Sequence, residues 1–585
     1  MSVLDTPRIY FRGQITWDPI VTNNYPQFYD VATSKPTLGT GTVADYRERA
    51  RRAVARGNWN MHGTHRSTFF ETTVTGVDLG DGLQMDDALV GVPVSFTGKL
   101  VDLDPYGATT SQLFFDELSC GIEGGSQILA SRSSPMVARR INFARNTGYR
   151  YIAGLASVIW QASFPTGGDL SVQPRGSAVL AGLHDLLSDD DVAGLTVRFN
   201  AYRTVYYDTE APTAQQQQDL ADRIAQGGFH PNPARSLIVG VIGLWRKDEA
   251  PAVPGDRVLA QAGEGPVGTA FAKVSDGRLT IDLSNSVPET SFDVPKLDLG
   301  PLTVVAMAED GAEGGDVPLG TLDYAAYDTA AYEATSGIVT LPLDPDLAAT
   351  ASAADLEVRA ANGTALLTEQ PLTVVADPPN LYLEEGEQAS VSLRALLRGG
   401  RPGAPVSVTM VEVDGPLPPL QVQTDENGEV TIPINGGKAG SWTWVLVPWQ
   451  GTAPTPPTGL DPGLNEYVAL RTTPADAEIA ALEPTWENVH QYVLRDWEAL
   501  APCMDNWLRL GDEQQCRTYA RLVRRLTSRE RFDDYGYMPV TRELTRGQRT
   551  LLHAWCDAVT GEVTAPRAAL AADAVAAKDP FGRGF

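Results

Sequence analysis

The sequence contains few of the residues that build metal and redox sites. Its 585 residues include six histidines and four cysteines, and the cysteines are Cys120, Cys503, Cys516 and Cys556. Cysteines so few and so scattered exclude a disulfide framework. No CxxC pair occurs, and the absence of CxxCH excludes covalently attached haem.

The common nucleotide-binding and hydrolase motifs are missing as well. The chain has neither GxxxxGK[ST], which cradles a triphosphate, nor GxGxxG after a strand, and it has neither the GxSxG elbow nor HExxH. The acidic run Asp189–Asp191 lacks the spaced oxygen ligands of a calcium loop, so we expect it to cap a helix or solvate a turn. Ordinary kinase, dehydrogenase and hydrolase functions are therefore not indicated.

Long apolar runs and excess positive charge are also absent. The most apolar stretches, YIAGLASVIW and SLIVGVIGLW, are about ten residues each, whereas a membrane-spanning helix needs about 20. The N-terminal residues lack the basic-then-apolar pattern of a signal peptide. With 73 Asp and Glu against 46 Lys and Arg, the net charge of −27 repels phosphate backbones and anionic lipid. We expect a soluble cytoplasmic protein that binds neither nucleic acid nor membranes.

What the sequence does contain is typical of a large β-rich protein. A hydrophobic fraction of 43% and a charged fraction of 20% describe a globular chain, and 55 glycines with 41 prolines fit short strands joined by turns. Alternating apolar and polar residues, as in Val90 to Phe96 and Leu195 to Ala201, predict half-buried strands. We therefore predict a mainly β, multi-domain fold, sandwich-like or barrel-like, with helical insertions and a C-terminal α-helical segment.

These patterns divide the chain into successive parts. Residues 1–295 are predicted as a β-rich domain with helical insertions that carries the functional site, and residues 296–378 as a second β domain. Residues 379–470 have the short alternating strands and regular turns of an immunoglobulin-like sandwich. After a Pro-rich linker, apolar residues at helical spacing predict helices through residues 475–585.

The segment NMHGTHRSTFFE contains two of the six histidines, His62 and His65, in a Gly-containing loop. The aromatic residues Trp59, Phe69 and Phe70 stand beside them in the sequence, and a lone imidazole against an apolar wall suits a haem pocket. The HxxH spacing would also supply two zinc ligands, but no third Cys, His or carboxylate stands at a matching spacing. From the residues alone, ordinary hydrogen bonding in a loop remains the favoured interpretation.

Several stretches of the sequence resemble one enzyme family and occur in the same order as in that family. They are MSVLDTPRIYFRG at the N-terminus, VDLDP (101–105), DDDVAGLTVRF (189–199), VGVIGLWR (239–246), NLYLE (380–384), CRTYARLV (516–523) and YMPVTREL (537–544). The family comprises the large enzymes of bis-indole biosynthesis, which are the iminophenylpyruvate-dimer and chromopyrrolate synthases of the violacein and indolocarbazole pathways. The resemblance covers almost the whole chain.

The resemblance implies a haem-dependent oxidoreductase of natural-product biosynthesis. The family couples two imines derived from an aromatic amino acid by removing electrons, and a flavin-dependent amino-acid oxidase supplies the imine. Family members continue into a ferritin-like helical domain, for which we find no counterpart in this sequence. We therefore expect either a separate ferritin-like protein partner or a different reaction carried out by the β-rich part alone.

The resemblance also distinguishes the two histidines. GTHRSTFFETTVTGV is similar to a family stretch with a histidine at the position of His65, followed by an aromatic residue and by a glutamate like Glu71. His65 is therefore the predicted iron ligand of a haem b. The remaining predicted cofactor-binding residues are Trp59, Phe69 and Phe70. The predicted catalytic residues are His62, as a distal group, and Arg66, as a planar fork for a substrate carboxylate.

Two further groups have alternative explanations. Cys516 would be a thiolate ligand in place of His65, but it shares an apolar helix stripe with Tyr519 and is expected to be buried as a small hydrophobe. Asp102 and Asp104 would orient the imidazole by accepting its second N–H, although an aspartate before proline is also ordinary turn chemistry.

Other functions stay open at this point. One is a catalytically silent β-rich scaffold whose C-terminal helices bind a partner carrying the ferritin-like domain. Another is a mononuclear metal oxygenase that uses both histidines of the pair with a carboxylate. In the haem interpretation the partners are a small-molecule substrate derived from an amino acid and an amino-acid oxidase or ferritin-like protein, and a homodimer is compatible with such large β surfaces.

Overall fold

The computed structural model describes residues 2–561, except for short internal stretches. The stretches outside the described residues are 18–20, 22–24, 57–58, 108, 132–133, 143–156, 206–212, 229–233, 264–266, 290–295, 309–314, 323–328 and 456–458. Strands make up 40% and helices 21% of the described residues, in several sheets with barrel-like curling and a C-terminal helical segment, so the predicted fold class is confirmed. The last part of the predicted helical segment, residues 562–585, lies outside the described residues.

The N-terminal part of the chain forms one long antiparallel sheet. The strands of this part are β1 (Arg8–Trp17), β2 (Tyr29–Asp30), β3 (Lys35–Pro36), β4 (Arg66–Asp78), β5 (Leu83–Gln84), β6 (Val94–Asp102), β7 (Ser111–Gly121), β8 (Gln127–Ser131), β9 (Met136–Val137), β10 (Arg139–Asn142), β11 (Ser157–Pro165), β12 (Leu170–Gln173), β13 (Val192–Val205) and β14 (Ala234–Arg246). All except the separate pair β2 and β3 belong to a 12-stranded first sheet, with the order β10-β11-β13-β14-β1-β4-β6-β7-β8-β12, β5 beside β4 and β9 beside β7.

The first sheet curls because one short segment pairs with two distant parts of it. β9 pairs with β7, and β10, which follows directly, pairs with β11. These pairings bring the β7 side and the β11 side of the sheet together. The inner face then encloses an apolar core that includes Phe69, Phe96, Phe115, Trp160 and Phe199.

Residues 257–370 form a second sheet with eight strands. They are β15 (Arg257–Gln261), β16 (Ala270–Ser275), β17 (Arg278–Asp282), β18 (Leu302–Ala306), β19 (Val317–Leu322), β20 (Ile338–Pro342), β21 (Leu356–Arg359) and β22 (Ala365–Gln370), in the order β19-β18-β21-β22-β15-β16-β17-β20. This sheet extends across the predicted boundary between residues 295 and 296, because β15 pairs with β22 as well as with β16. Where the chain divides into independently folding domains stays a prediction.

Residues 372–473 form two further sheets around one core. Their strands are β23 (Leu372–Asp377), β24 (Asn380–Glu384), β25 (Gln388–Leu397), β26 (Ser407–Glu412), β27 (Leu420–Gln423), β28 (Glu429–Asn435), β29 (Gly440–Trp449) and β30 (Tyr467–Thr473). One sheet has the order β23-β25-β28 and the other β24-β30-β29-β26-β27. Val391 and Leu393 of the three-stranded sheet share the core with Val408 and Leu446 of the five-stranded sheet, an arrangement typical of a β-sandwich.

The helices fall into two groups. The insertions between strands are α1 (Val43–Val54), α2 (Ala178–Leu186), α3 (Ala214–Ala225), α4 (Thr329–Ala334) and α5 (Pro345–Ala353). The C-terminal segment contains α6 (Ala477–Ala480), α7 (Trp486–Val489), α8 (Arg495–Leu500), α9 (Glu513–Thr518), α10 (Ala520–Leu526) and α11 (Arg546–Thr560), and a π-helical turn, His490–Leu494, joins α7 to α8. Among the described residues, no helix is long and apolar enough to cross a membrane.

The longest C-terminal helix, α11, has clear sequence signals at both ends. Thr545 accepts the backbone N–H of Gln548, whose side chain bonds in return to the backbone of Thr545. The helix ends at Gly561, which adopts a left-handed φ of 71°. Trp555 of α11 shares an apolar core with Tyr46 of α1, so the helix inserted near the N-terminus packs on the C-terminal helices.

Candidate functional site

His65 lies immediately before β4 and is held by the backbone of the neighbouring strand β6. Its Nδ1 is 2.9 Å from the carbonyl oxygen of Leu100, and the backbone N–H of Leu100 donates to the carbonyl of His65 at 2.8 Å. A carbonyl oxygen only accepts, so Nδ1 carries the proton and Nε2 keeps its lone pair in the neutral ring. This is the tautomer in which a histidine binds a metal through Nε2.

The surroundings of His65 keep the imidazole neutral. Burial lowers its pKa to about 4, and the positive charges of Lys99 and Arg542 act in the same direction, against the bond to Leu100. At neutral pH the ring is therefore uncharged. Burial, together with the charge of Arg542, also lowers the pKa of Lys99 to about 8. Three basic groups thus influence one another at this edge of β4 and β6.

The two predicted phenylalanines do not form a wall beside His65, because consecutive strand residues point to opposite faces. Phe69 points into the core of the first sheet, where its ring centroid lies 5.0 Å from that of Phe96. Phe70 points outward and is 45% exposed, with the guanidinium of Arg235 5.7 Å from its ring centroid. The structure therefore does not bring these two side chains to one side of a common pocket.

Trp59 lies in the core of the helical segment instead. Its ring centroid is 5.9 Å from that of Phe28 and 6.2 Å from that of Tyr46. Its indole N–H donates to the carbonyl of Val21 at 3.2 Å, so the polar atom of the ring already has a partner. Among the described ring contacts, none joins Trp59 to His65.

His62 and Arg66 are exposed and lie on either side of His65 in the chain. The backbone N–H of His62 donates to Oδ1 of Asn60 at 3.2 Å, which stabilises the loop before β4. The Nε of Arg66 donates to Oγ1 of Thr68 at 3.2 Å. Both side chains are accessible to a ligand, and their catalytic roles stay predictions.

The alternative ligand and the alternative partner of the imidazole have other contacts. Cys516 is buried in the helical core, and burial raises the pKa of its thiol to about 12, so the protonated thiol is a poor ligand. Asp102 accepts a hydrogen bond from the hydroxyl of Ser111, and the imidazole bonds to the carbonyl of Leu100. Within the part of the chain that the structure describes, no three His, Cys, Asp or Glu side chains form a group that could hold a metal ion.

The outer face of β6 and β7 is covered by the segment before α11. We call this contact, together with the exposed Arg66 of β4 at its edge, the β6–β7 seam. The seam consists of Arg66, Lys99 and Phe114 from the sheet and of residues 529–545 of the covering segment. Lys99 stands directly opposite Arg66 on one side and Phe114 on the other, so the three side chains share one face. The guanidinium carbon of Arg542 is 3.5 Å from the ring centroid of Phe114, and Nζ of Lys99 is 4.7 Å from that of Tyr535, both within cation–π range.

Further aromatic rings continue the seam. The ring centroid of Tyr537 is 5.2 Å from that of Phe532, which is 5.1 Å from that of Tyr382 in β24. Arg542 is 1% exposed, and its Nη2 donates to the carbonyl of Asp534 at 3.0 Å while Nη1 donates to another backbone carbonyl. Sequence reasoning did not single out Arg542, although it belongs to YMPVTREL, one of the family-like stretches.

Comparison with known proteins agrees with the sequence motifs. The chain is 26% identical, over 647 aligned positions, to the 2-imino-3-(indol-3-yl)propanoate dimerase of Chromobacterium violaceum, and the match covers 96% of this chain. The predicted resemblance is confirmed. The chain spans 58% of the length of this relative, which is the longer protein. No model of a known protein family matches the chain.

Solved structures match the chain only distantly. The α2-macroglobulin of Escherichia coli activated by porcine elastase has 8% sequence identity and a TM-score of 0.13, over 70% of this chain and 40% of that chain. The four N-terminal Ig domains of Dscam1 isoform 6.44 have 10% identity and a TM-score of 0.12, over 70% of this chain and 84% of that chain. TM-scores this low do not indicate a shared fold.

Proposed function

We propose that this protein is an oxidoreductase of natural-product biosynthesis that acts on a 2-imino acid derived from an aromatic amino acid, with haem b as its cofactor. The observation that carries the proposal is the similarity to the 2-imino-3-(indol-3-yl)propanoate dimerase along 96% of this chain. The name of that relative specifies an imine, a carboxylate and an aromatic ring. The substrate proposed for this chain carries the same three groups.

His65 is the proposed axial ligand of this haem. Its Nδ1 is held by the carbonyl of Leu100 at 2.9 Å, and its pKa is lowered to about 4, so Nε2 is available at neutral pH. Trp59 and Phe69 belong to two other cores, so they do not support the assignment. A haem bound to His65 would supply one-electron oxidation of the imine or its enamine tautomer, with O₂ or peroxide as the final acceptor.

In this proposal, residues on either side of His65 bind the substrate and handle its proton. Arg66 is exposed and presents a planar fork that fits a carboxylate. His62 is also exposed, and its proposed role is to exchange a proton with the imine nitrogen. The proposal includes a cytoplasmic location, an amino-acid oxidase that supplies the imine, a ferritin-like partner protein and assembly as a homodimer.

The test is the ultraviolet–visible spectrum of the protein, purified after expression with added haem precursor, in the oxidised, reduced and carbon monoxide-bound reduced states. We expect a Soret band that is lost in His65→Ala. The matched control is His184→Ala in α2, a histidine whose side chain is 57% exposed and which should leave the band unchanged. Circular dichroism of each variant checks the fold. A Soret band that persists in His65→Ala assigns the ligand to another residue, and a colourless protein overturns the haem proposal.

One observation favours a second function, that of a non-catalytic β-rich scaffold for a ferritin-like protein. Trp59 and Phe69 lie in separate cores, and the described residues include no group of three metal-ligating side chains. A protein without a Soret band and without iron by mass spectrometry would support the scaffold. Bound iron without a Soret band would instead support a mononuclear metal oxygenase.

A further inference from the structure

The β6–β7 seam and the tyrosine beside it contain several buried polar atoms that have no hydrogen-bond partner in the protein. They are the hydroxyl oxygens of Tyr382, Tyr537 and Thr541 and the Nε atoms of Arg531 and Arg542. A buried polar atom without a partner destabilises the fold by about as much as a lost hydrogen bond, and such atoms are uncommon in native structures. Around this one set of aromatic rings, several donors and acceptors are therefore left for a polar ligand to pair with.

The seam also holds three cations that have no carboxylate within ion-pairing distance among the described residues. Arg66, Lys99 and Arg542 form no ion pair with any Asp or Glu among the described residues, although the chain has 73 acidic against 46 basic residues. Oδ1 of Asp116 accepts the backbone N–H of Tyr535 at 2.9 Å. Burial lowers the pKa values of both Lys99 and Arg542 and outweighs the nearby carboxylates. The negative charge of Asp116 favours the charged form of Lys99, and those of Asp533 and Asp534 favour the charged form of Arg542. In so acidic a protein, three cations within one contact form a ready site for a small anion.

The aromatic rings of the seam indicate that the ligand carries an aromatic group as well as a negative charge. Lys99 and Arg542 each lie over a ring, at 4.7 Å from Tyr535 and 3.5 Å from Phe114, so charge and apolar surface adjoin. A flat aromatic group packs on such rings while an attached carboxylate meets the cations. A nucleic acid would need a more extended basic surface than three side chains in a chain of net charge −27.

We propose that the β6–β7 seam binds the carboxylate and the aromatic ring of an aromatic 2-imino or 2-oxo acid. Lys99 and Arg66 meet the carboxylate from the sheet, and Arg542, fixed by its two bonds to backbone carbonyls, completes the positive site from the covering segment. The hydroxyl of Tyr537 donates a hydrogen bond to the bound acid. The identity of the acid as substrate rests on the proposed function, whereas its binding does not depend on haem.

The test measures whether the carboxylate is recognised by Lys99. Isothermal titration calorimetry compares 3-(indol-3-yl)propanoate, a stable carboxylate with the same ring, with its neutral amide, 3-(indol-3-yl)propanamide. We expect the wild-type protein to bind the acid about tenfold more tightly than the amide, because charge-assisted hydrogen bonds are about twice as strong as neutral ones. Lys99→Met should abolish this preference. Lys247→Met, which removes an exposed lysine just after β14, is the matched control and should preserve it.

Tyr537→Phe gives a second test that does not remove charge. It deletes a hydroxyl that has no protein partner, so it should weaken binding of the acid several-fold without lowering the melting temperature of the free protein. Circular dichroism checks that the variants fold like the wild type.

The outcomes separate this inference from the haem proposal. Equal affinity of the wild type for acid and amide, or an unchanged preference in Lys99→Met, overturns the carboxylate site. Loss of the Soret band in Lys99→Met without any change in acid binding assigns the cations to haem propionates and also overturns it. A colourless protein whose acid binding depends on Lys99 supports the seam, although the haem proposal then fails.

Discussion

The two faces of β4, β6 and β7 differ sharply although the same strands supply both. On the inner face, Phe69, Phe96 and Phe115 pack with successive ring centroids 5.0 and 5.2 Å apart inside an apolar core. On the outer face, Lys99 and Arg542 lie against aromatic rings under the segment that covers the β6–β7 seam. The inner face is mainly apolar, with the buried hydroxyl of Ser67 as an exception, while the outer face combines rings, charges and several unpartnered polar atoms.

This difference separates what stabilises the sheet from what is able to bind a ligand. Full burial of an aromatic side chain on the inner face stabilises the fold by about 1.5–3 kcal/mol. On the outer face, burial lowers the pKa of Lys99 to about 8 and that of Arg542 to about 10, because the charged forms are deprived of water. Nearby carboxylates offset only part of this cost, and a buried charge without a close opposite charge is unfavourable, so an anion that binds there relieves the cost.

The largest expected effect comes from a cavity on the inner face. Phe96→Ala should destabilise the protein by about 3–5 kcal/mol, because it removes a ring that is buried among other rings. The free energy of unfolding in urea, followed by circular dichroism, measures this loss.

Phe70→Ala is the matched control on the outer face of the same sheet. Phe70 is 45% exposed and its described ring contact is the guanidinium of Arg235 at 5.7 Å, so the loss should stay below about 1 kcal/mol. Equal losses in the two variants would mean that both faces contribute alike to stability, and the comparison would fail.

The existence of the inner face could be predicted from the sequence, because alternation along a strand is a local signal. Val94, Phe96 and Leu100 point inward as the pattern of apolar residues indicates, apart from a bulge between Phe96 and Gly98. The same rule would have placed Phe69 and Phe70 on opposite faces. The apolar wall of the haem pocket was predicted because Phe69 and Phe70 are close to His65 in the sequence. Alternation along β4 instead points the two rings to opposite faces of the sheet.

The outer face could not be predicted in this way. The partner of the His65 ring is a backbone carbonyl 35 residues further along the chain, and every residue type carries such a carbonyl. Arg542 reaches the first sheet from the far end of the chain, and its contact with Phe114 has no spacing that a sequence pattern could reveal. The family-like stretch YMPVTREL was the one local signal that pointed to this segment.

A second, smaller effect is a loss of stability at acidic pH. His553 of α11 bonds through Nε2 to Oγ1 of Thr527 at 2.9 Å, and burial lowers its pKa from 6.5 to about 3. Between these values the unfolded chain binds the proton more readily, so the stability is complete above pH 6.5 and decreases as the pH falls toward 3. A fall from pH 6.5 to pH 5 should destabilise the C-terminal helices by about 2 kcal/mol.

Amide hydrogen exchange of α11, corrected for the intrinsic effect of pH, measures this loss of stability. His65, whose pKa is lowered to about 4, acts in the same direction at the seam. Protection of the inner-face strands should decrease less than that of α11. In His553→Gln, α11 should lose the part of its pH-dependent stability that is due to His553, since glutamine does not titrate. An unchanged pH dependence in that variant would assign the acid sensitivity to other groups.

The smallest expected effects on stability come from removing the hydroxyl group of either of two buried tyrosines. Tyr46 donates its hydroxyl to the carbonyl of Phe28 at 2.9 Å, so Tyr46→Phe should destabilise the protein by about 1–2 kcal/mol through the carbonyl left unpaired. Tyr537 is equally buried but its hydroxyl has no partner in the protein. Tyr537→Phe should therefore leave the free energy of unfolding unchanged or raise it by up to about 1 kcal/mol.

The two tyrosine variants test most directly whether the polar groups of the outer face bind a ligand or stabilise the fold. If Tyr537→Phe is neutral for folding yet weakens binding of the acid, the hydroxyl stabilises a complex and not the fold. If Tyr537→Phe destabilises the protein as much as Tyr46→Phe does, the hydroxyl has a stabilising partner such as an ordered water. The seam would then be an ordinary contact between the sheet and its covering segment, and the distinction between the two faces would reduce to one of composition.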